Sequence, residues 1–232
     1  MIAAVVNAVV VALGALLGLA FGGRLREEHT GTIVAGLGIC VVVIGITSAI
    51  VTTNILIVIV SMVLGTILGE LLKIEARLDT LGDWLKARLG RHGGSRFTEG
   101  FVTASLLFCV GSMAIMGSFD AGLRGDYQTI FAKSALDGVM AVTFAATMGL
   151  GVMFSGLTVL VYQGALTLLA GVVEPFLSEA VVVEMSAVGG VLLIGTGINI
   201  LGLAPKRLKV GNMLPAMVLP VIWFWIAGRL GG

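Results

Sequence analysis

Eight stretches of almost unbroken apolar sequence, at about 2–22, 31–52, 54–73, 100–119, 133–153, 155–173, 183–203 and 210–228, dominate the pattern along the chain. Each is long enough to cross a hydrocarbon core, which takes about 20 residues as a helix. None alternates apolar and polar positions as a barrel strand does over about 10 residues. Helices close their backbone hydrogen bonds internally and are the remaining way to satisfy them in lipid. The pattern therefore predicts an all-α polytopic membrane protein of eight spans. The first run lacks a basic leader and exceeds the usual signal-peptide core, so it reads as a span.

One connection is long. Between the third and fourth runs, residues 74–99 open with Ile74, Leu78, Leu81 and Leu85 at helical spacing, beside Trp84, while Glu75, Arg77, Asp79, Asp83, Lys86 and Arg88 fall between them. That is an amphipathic helix, expected on the cytoplasmic membrane surface. The glycine-containing stretch Arg91–Arg96 reads as its flexible link to the fourth run. The chain thus divides into 1–73, 74–99, 100–153 and 155–232 within a single transmembrane domain.

Composition removes several functions. Of 232 residues 58% are apolar, 12% charged and 34 glycine, with a mean hydropathy of +1.11. A soluble domain carries roughly 25% charged residues, so the bilayer is the expected surroundings. A net charge of +1 offers no basic face for nucleic acid. Cys40 and Cys109 sit in apolar runs and suggest neither a disulfide framework nor a zinc site. Both histidines, His29 and His92, lie in connections, and no nucleotide-cradling glycine-lysine motif occurs. Neither an enzyme nor a cofactor is expected.

Charge placement sets the orientation. Threaded through eight spans, one side holds Arg24, Arg26, Lys73, Arg77, Lys86, Arg88, Arg91, Arg96, Lys206, Arg207 and Lys209, eleven of the fourteen basic residues. The other holds Arg124, Lys133 and Arg229. By the positive-inside rule the eleven face the cytoplasm and both termini face out. The acidic connection Glu174, Glu179, Glu184 then falls outside.

An internal repeat follows from a shift of 150 residues, which brings Gly14–Ala20 onto Gly164–Ala170 and Ile44, Gly45 and Ile50 onto Ile194, Gly195 and Ile200. After a short insertion, Asn54-Ile55-Leu56 resembles Asn212-Met213-Leu214. Runs 1–3 thus pair with runs 6–8. The pairs are five spans apart, an odd number, so the halves cross the membrane in opposite directions. Inverted repeats of this kind are characteristic of secondary transporters, which expose one site to either side in turn. Duplication retained only for packing is the alternative.

Ionisable residues inside spans are expensive and become candidates for function by default. Asp137 is the clearest, one helical turn from Lys133. With Asp120, and Asp126 in the turn, it suggests a cation-receptive vestibule at the outer mouth; an interfacial Lys133–Asp137 anchor is the competing reading. Glu70 ends the third run beside Lys73 and suits either ion coupling or snorkelling. Gly195-Thr196-Gly197-Ile198-Asn199 offers two glycines that would let the helix unwind and an amide to ligate an ion, opposite Thr47 and Ser48 in the repeat counterpart. Pro215 and Pro220 predict a kink in the eighth run. The ligand site is accordingly expected between runs 2 and 7. The glycine faces Gly14/Gly18/Gly22 and Gly65/Gly69 predict close helix contact, including contact between protomers of a homodimer.

The stretches Asn54-Ile-Leu-Ile-Val-Ile-Val-Ser, Phe101-Val-Thr-Ala-Ser-Leu-Leu-Phe-Cys-Val-Gly, Lys133-Ser-Ala-Leu-Asp-Gly and Glu184-Met-Ser-Ala-Val-Gly-Gly resemble the YdfK/YqgA family of bacterial inner-membrane proteins over essentially the whole chain. The resemblance implies a multi-pass protein of the bacterial inner membrane, of a kind often labelled a transporter, without supplying a substrate or a site. Where the family pattern has an acid three residues after Gly-Ser, this chain has Gly117-Ser118-Phe119-Asp120, so Asp120 is displaced by one position. The resulting expectation is a secondary transporter of a small solute or ion, proton- or sodium-coupled. The alternatives are a passive channel and a scaffold that binds a partner through the cytoplasmic helix.

Overall fold

A computed structural model describes residues 1–22, 27–89 and 96–230, all helix, turn or coil with no strand among them. In order the helices are α1 (Ile2–Gly22), α2 (Glu27–Ala49), α3 (Ile55–Leu72), α4 (Ile74–Leu89), α5 (Phe97–Cys109), α6 (Ser112–Leu123), α7 (Gln128–Met148), α8 (Gly151–Leu168), the single turn α9 (Ala170–Val173), α10 (Glu179–Leu201) and α11 (Leu219–Leu230). Among the described residues seven helices are long and apolar enough to cross a membrane, and up to eight when the bent pair α5 and α6 counts as one span. Large apolar side chains such as Ile2, Leu17, Leu71, Val139 and Leu168 lie on the outside, as lipid contact requires. Arg24, Arg26 and most of the link at 91–95 lie outside the described residues.

The fourth run departs from a straight span. It breaks at Val110–Gly111 and bends by 60°, with Gly111 at φ +129°, a conformation glycine adopts freely. The eighth run departs as well: Val210–Val218 is a 3-10 helix containing Pro215, and the α-helix resumes only at Leu219. Pro220 then falls in the first turn of α11, where a missing N–H leaves no bond unmade. By contrast α10 runs unbroken through Gly195 and Gly197 to Gly202, so the unwinding expected there does not occur.

The chain forms two compact units that cut across the sequence-derived divisions. The first comprises 1–37, 78–109 and 113–170, and the second 38–77, 110–112 and 171–232.

In the first unit α1 lies against α7 and α8, and α5 against α8. The buried stripe of α7, at Ile130, Lys133, Ser134, Asp137, Gly138, Ala141, Phe144, Ala145 and Met148, keeps helical spacing. The match is tight because α1 presents glycines. A Cβ on Gly14 would meet the Gly138 carbonyl, one on Gly18 the Val142 carbonyl, and one on Gly22 the Ala146 carbonyl.

In the second unit α3 lies against the 3-10 helix and α2 against α10 by the same means. Gly65 faces the Ala216 backbone, Gly69 the Asn212 carbonyl, and Gly45 the backbone of Gly190 and Ile194. A 3-10 helix is thinner than an α-helix, which suits backbone contact with α3. These glycine faces, assigned from sequence to protomer contacts, are therefore covered within the chain and are not available to a second copy.

Candidate functional site

Four of the polar residues that the first unit buries, Asn7, Lys133, Asp137 and Gln163, meet at one place. On α7, Lys133 Nζ donates to both oxygens of Asp137, at 2.8 Å (Oδ1) and 2.6 Å (Oδ2). The two side chains are 8% and 5% exposed. The i,i+4 spacing puts them on one helix face, and that face points inward with the mostly apolar remainder of the stripe. From α1, Asn7 Nδ2 donates to Asp137 Oδ2 at 3.0 Å and to Gln163 Oε1 of α8 at 3.1 Å. Asn7 and Gln163 are both fully shielded from solvent. Asn7 Oδ1 and Gln163 Nε2 have no protein partner. Three helices thus contribute to a buried ion pair with two amides beside it.

The vestibule expected around Asp137 is not assembled. Asp120 pairs with Arg124 at 2.9 Å near the end of α6, and Asp126 accepts the Gln128 N–H at 3.0 Å. Both carboxylates thus serve local turn and helix-end bonds rather than the ion pair.

The candidates of the second unit have other partners. Thr47 donates to the Ile44 carbonyl and Thr196 to the Leu192 carbonyl, so each hydroxyl bonds within its own helix. Asn199 clamps the loop that follows α10, accepting from Leu208 N and donating to Leu208 O, each at 2.8 Å. Ser48 lies on the α2 face against Gly190, where the backbones touch. A ligand between α2 and α10 at this level has no room. Glu70 pairs with Lys209 at 3.2 Å in an exposed bridge.

Two carboxylates escaped the sequence reading. Glu184, read as part of an outer acidic connection, is fully shielded. Its Oε1 accepts Thr53 N (2.8 Å), Thr53 Oγ1 (2.9 Å) and Asn54 N (3.2 Å), and its Oε2 accepts Thr52 Oγ1 (2.5 Å). It sits at the start of α3, where free N–H groups and the helix dipole favour an anion. Glu75 does the same for the 3-10 helix, accepting Gly211 N at 2.6 Å while its own N–H donates to Asn212 Oδ1 at 2.7 Å. The signal available in the sequence was the pair of span-initiating asparagines, Asn54 and Asn212, although nothing local to them names the acid. Glu184→Ala is expected to lower stability by about 1–3 kcal/mol, the cost of leaving such donors without an acceptor, with Glu184→Gln milder; thermal unfolding in detergent measures both.

An all-helical chain with these spans, a lipid-facing apolar exterior and a polar cluster walled off inside it is a polytopic α-helical membrane protein. It belongs to the DUF554 family, described as proteins of unknown function, whose family model matches residues 2–225. Among its relatives are the uncharacterized membrane protein YdfK of Bacillus subtilis (strain 168), 29% identical over 237 residues that cover 100% of this chain and 99% of the relative. Another is the uncharacterized protein YqgA of Escherichia coli (strain K12), 32% identical over 230 residues, 96% of each chain. No solved structure matches the chain.

Proposed function

We propose that this protein is a secondary transporter of a small solute or ion, proton- or sodium-coupled, with its coupling site at Lys133 and Asp137 rather than between α2 and α10. The observation that carries the reading is the buried ion pair itself. An ionised pair inside spans is expensive, and apolar residues of similar volume would pack at least as well there.

The helix contacts also support an inverted repeat. In the first unit α1 and α8, partners in the repeat register, lie antiparallel, with Ala8 facing Gly156 and Met1 facing Gly164. In the second unit Gly38 faces Leu201 and Gly45 faces Ile194, and Gly65 faces Ala216 while Gly69 faces Asn212. Each helix thus meets its own counterpart head to tail, as two copies related by an axis in the membrane plane would. The bridges Lys209–Glu70 and Arg207–Glu75 join two of the basic connections at one end of the second unit. That supports assigning them to one side, the cytoplasmic one, with both termini outside.

Two measurements test the reading. In a background with Cys40 and Cys109 replaced by Ala, Arg77→Cys is expected to react with impermeant thiol reagents only from the cytoplasmic side, and Arg124→Cys only from the other. Labelling of both from one side removes the eight-span topology and the inverted repeat with it. In proteoliposomes, flux is expected to require an imposed proton or sodium gradient and to vanish in Asp137→Asn. Current without coupling would make the protein a channel.

A further inference from the structure

Building on the transport reading above, we propose that the cluster of Asn7, Lys133, Asp137 and Gln163 binds a small monocarboxylate together with one proton, the anion replacing Asp137 on the Lys133 ammonium and the proton residing on Asp137.

Charge balance favours this pairing. The resting site holds one ammonium and one carboxylate and is neutral. A proton alone would leave a net positive charge in the low-dielectric interior, and an anion alone a net negative one. Arrival of both leaves the site neutral again, with Asp137 as an uncharged acid and Lys133 paired to the incoming carboxylate. A sodium ion fits poorly. Both Asp137 oxygens already face Nζ, the added cation would sit beside the ammonium, and Asn7 Oδ1 is the single side-chain oxygen among the four residues without a partner. Hard cations take several oxygen ligands.

The unpartnered amide atoms supply the rest. While Asp137 is ionised it must face the Asn7 amino group, and that fixes Gln163 with its oxygen toward the same group. Once Asp137 is protonated, its new O–H needs an acceptor. A half-turn of the Asn7 amide brings Oδ1 to it, and Gln163 turns with it so that Nε2 rather than Oε1 meets Asn7 Oδ1. The position that Asn7 Oδ1 vacates is then taken by Nδ2. At Asn7 a free acceptor thus becomes a free donor at the moment the site needs to receive an anion, while at Gln163 the free donor Nε2 gives way to a free acceptor, Oε1. Of the elements around the site, α1 carries no ionisable side chain, α5 and α8 bring Cys109 and Tyr162 nearby, both neutral near pH 7 in their ordinary state, and α6, which meets α7 at Ile130, carries Asp120 already paired with Arg124.

The test counts protons. Full-length protein in unbuffered detergent solution receives formate, glycolate or lactate, with sodium chloride as control, while pH and thermal stability are followed. The expected result is saturable binding of at least one of the three carboxylates with uptake of about one proton per anion. The apparent affinity should fall about tenfold per pH unit on the alkaline side, as linkage to one proton requires. Asp137→Asn, nearly isosteric with the protonated acid, should bind the same carboxylate with no proton uptake and no pH dependence. If that variant does not fold, the wild-type proton count decides by itself. Carboxylate binding without proton uptake, a response to sodium or chloride alone, or no response to any of the three carboxylates overturns the proposal. Proton-linked binding with no flux in proteoliposomes leaves the proposal standing and removes the transport reading. Sodium-driven flux without carboxylate binding does the reverse.

Discussion

Lys133→Met is expected to destabilise the protein by about 3–5 kcal/mol, the measured range when one partner of a buried ion pair is removed and the other charge is left behind. The reason is specific to this site. Without Nζ, Asp137 keeps one hydrogen bond, from Asn7 Nδ2, which does not compensate for an ionised carboxylate in a span. The double variant Lys133→Met/Asp137→Leu removes both charges and is expected to recover most of the melting temperature, because apolar residues suit the stripe formed by Ile130, Ala141 and Phe144. It should nevertheless have no coupled flux. Recovery of stability with loss of flux identifies a pair kept for function. Recovery of both would make the pair a structural anchor and would remove the proposed site.

Gly18→Leu is expected to prevent the first unit from folding, with loss of the monodisperse peak in size exclusion. Gly18→Ala should cost about 1–3 kcal/mol, as overpacking of a close-fitted interior does. A Cβ at Gly18 runs into the Val142 carbonyl, with no flexible side chain to give way. The same contact holds Asn7 to Asp137, since α1 and α7 approach through the glycine row that begins about two turns beyond Asn7. Gly18→Ala should therefore weaken ion or ligand responses more than its stability loss alone predicts. Gly36→Ala serves as the control. It meets nothing within 4 Å, and in an open helical position the change should be neutral or stabilise by up to about 1 kcal/mol. Equal losses at Gly18 and Gly36 would show that helix approach is not what the glycine provides.

The lysine–aspartate spacing was legible from sequence because it is local: four residues on a helix share a face whatever surrounds them. Asn7 and Gln163, separated by 156 positions, carry no such mark. Asn7 resembles any amide in a span, and Gln163 sits in an ordinary apolar run. The glycine rows were equally visible as sites of close approach, but their partners were not. A small residue states that something comes near without stating what, and here it is α7 and the 3-10 helix of the same chain rather than a second protomer.

The all-helical multi-span class, the amphipathic helix after α3 and the break in the proline-containing eighth run were determined by sequence alone, since hydropathy, helical period and proline's missing donor act within a few residues. The tertiary structure decided the rest. It kept α10 unbroken through Gly195 and Gly197, because Val210 at Gly195 and the α2 backbone at Gly197 leave no space for an unwound backbone there. It broke the fourth run at Gly111 instead. It also turned Glu184 from an apparent surface acid into the buried acceptor of the N–H groups of Thr53 and Asn54 that lead into α3. These outcomes depend on which backbone amides and which side chains meet across helices far apart in the chain, and apolar runs of similar composition do not encode that choice locally.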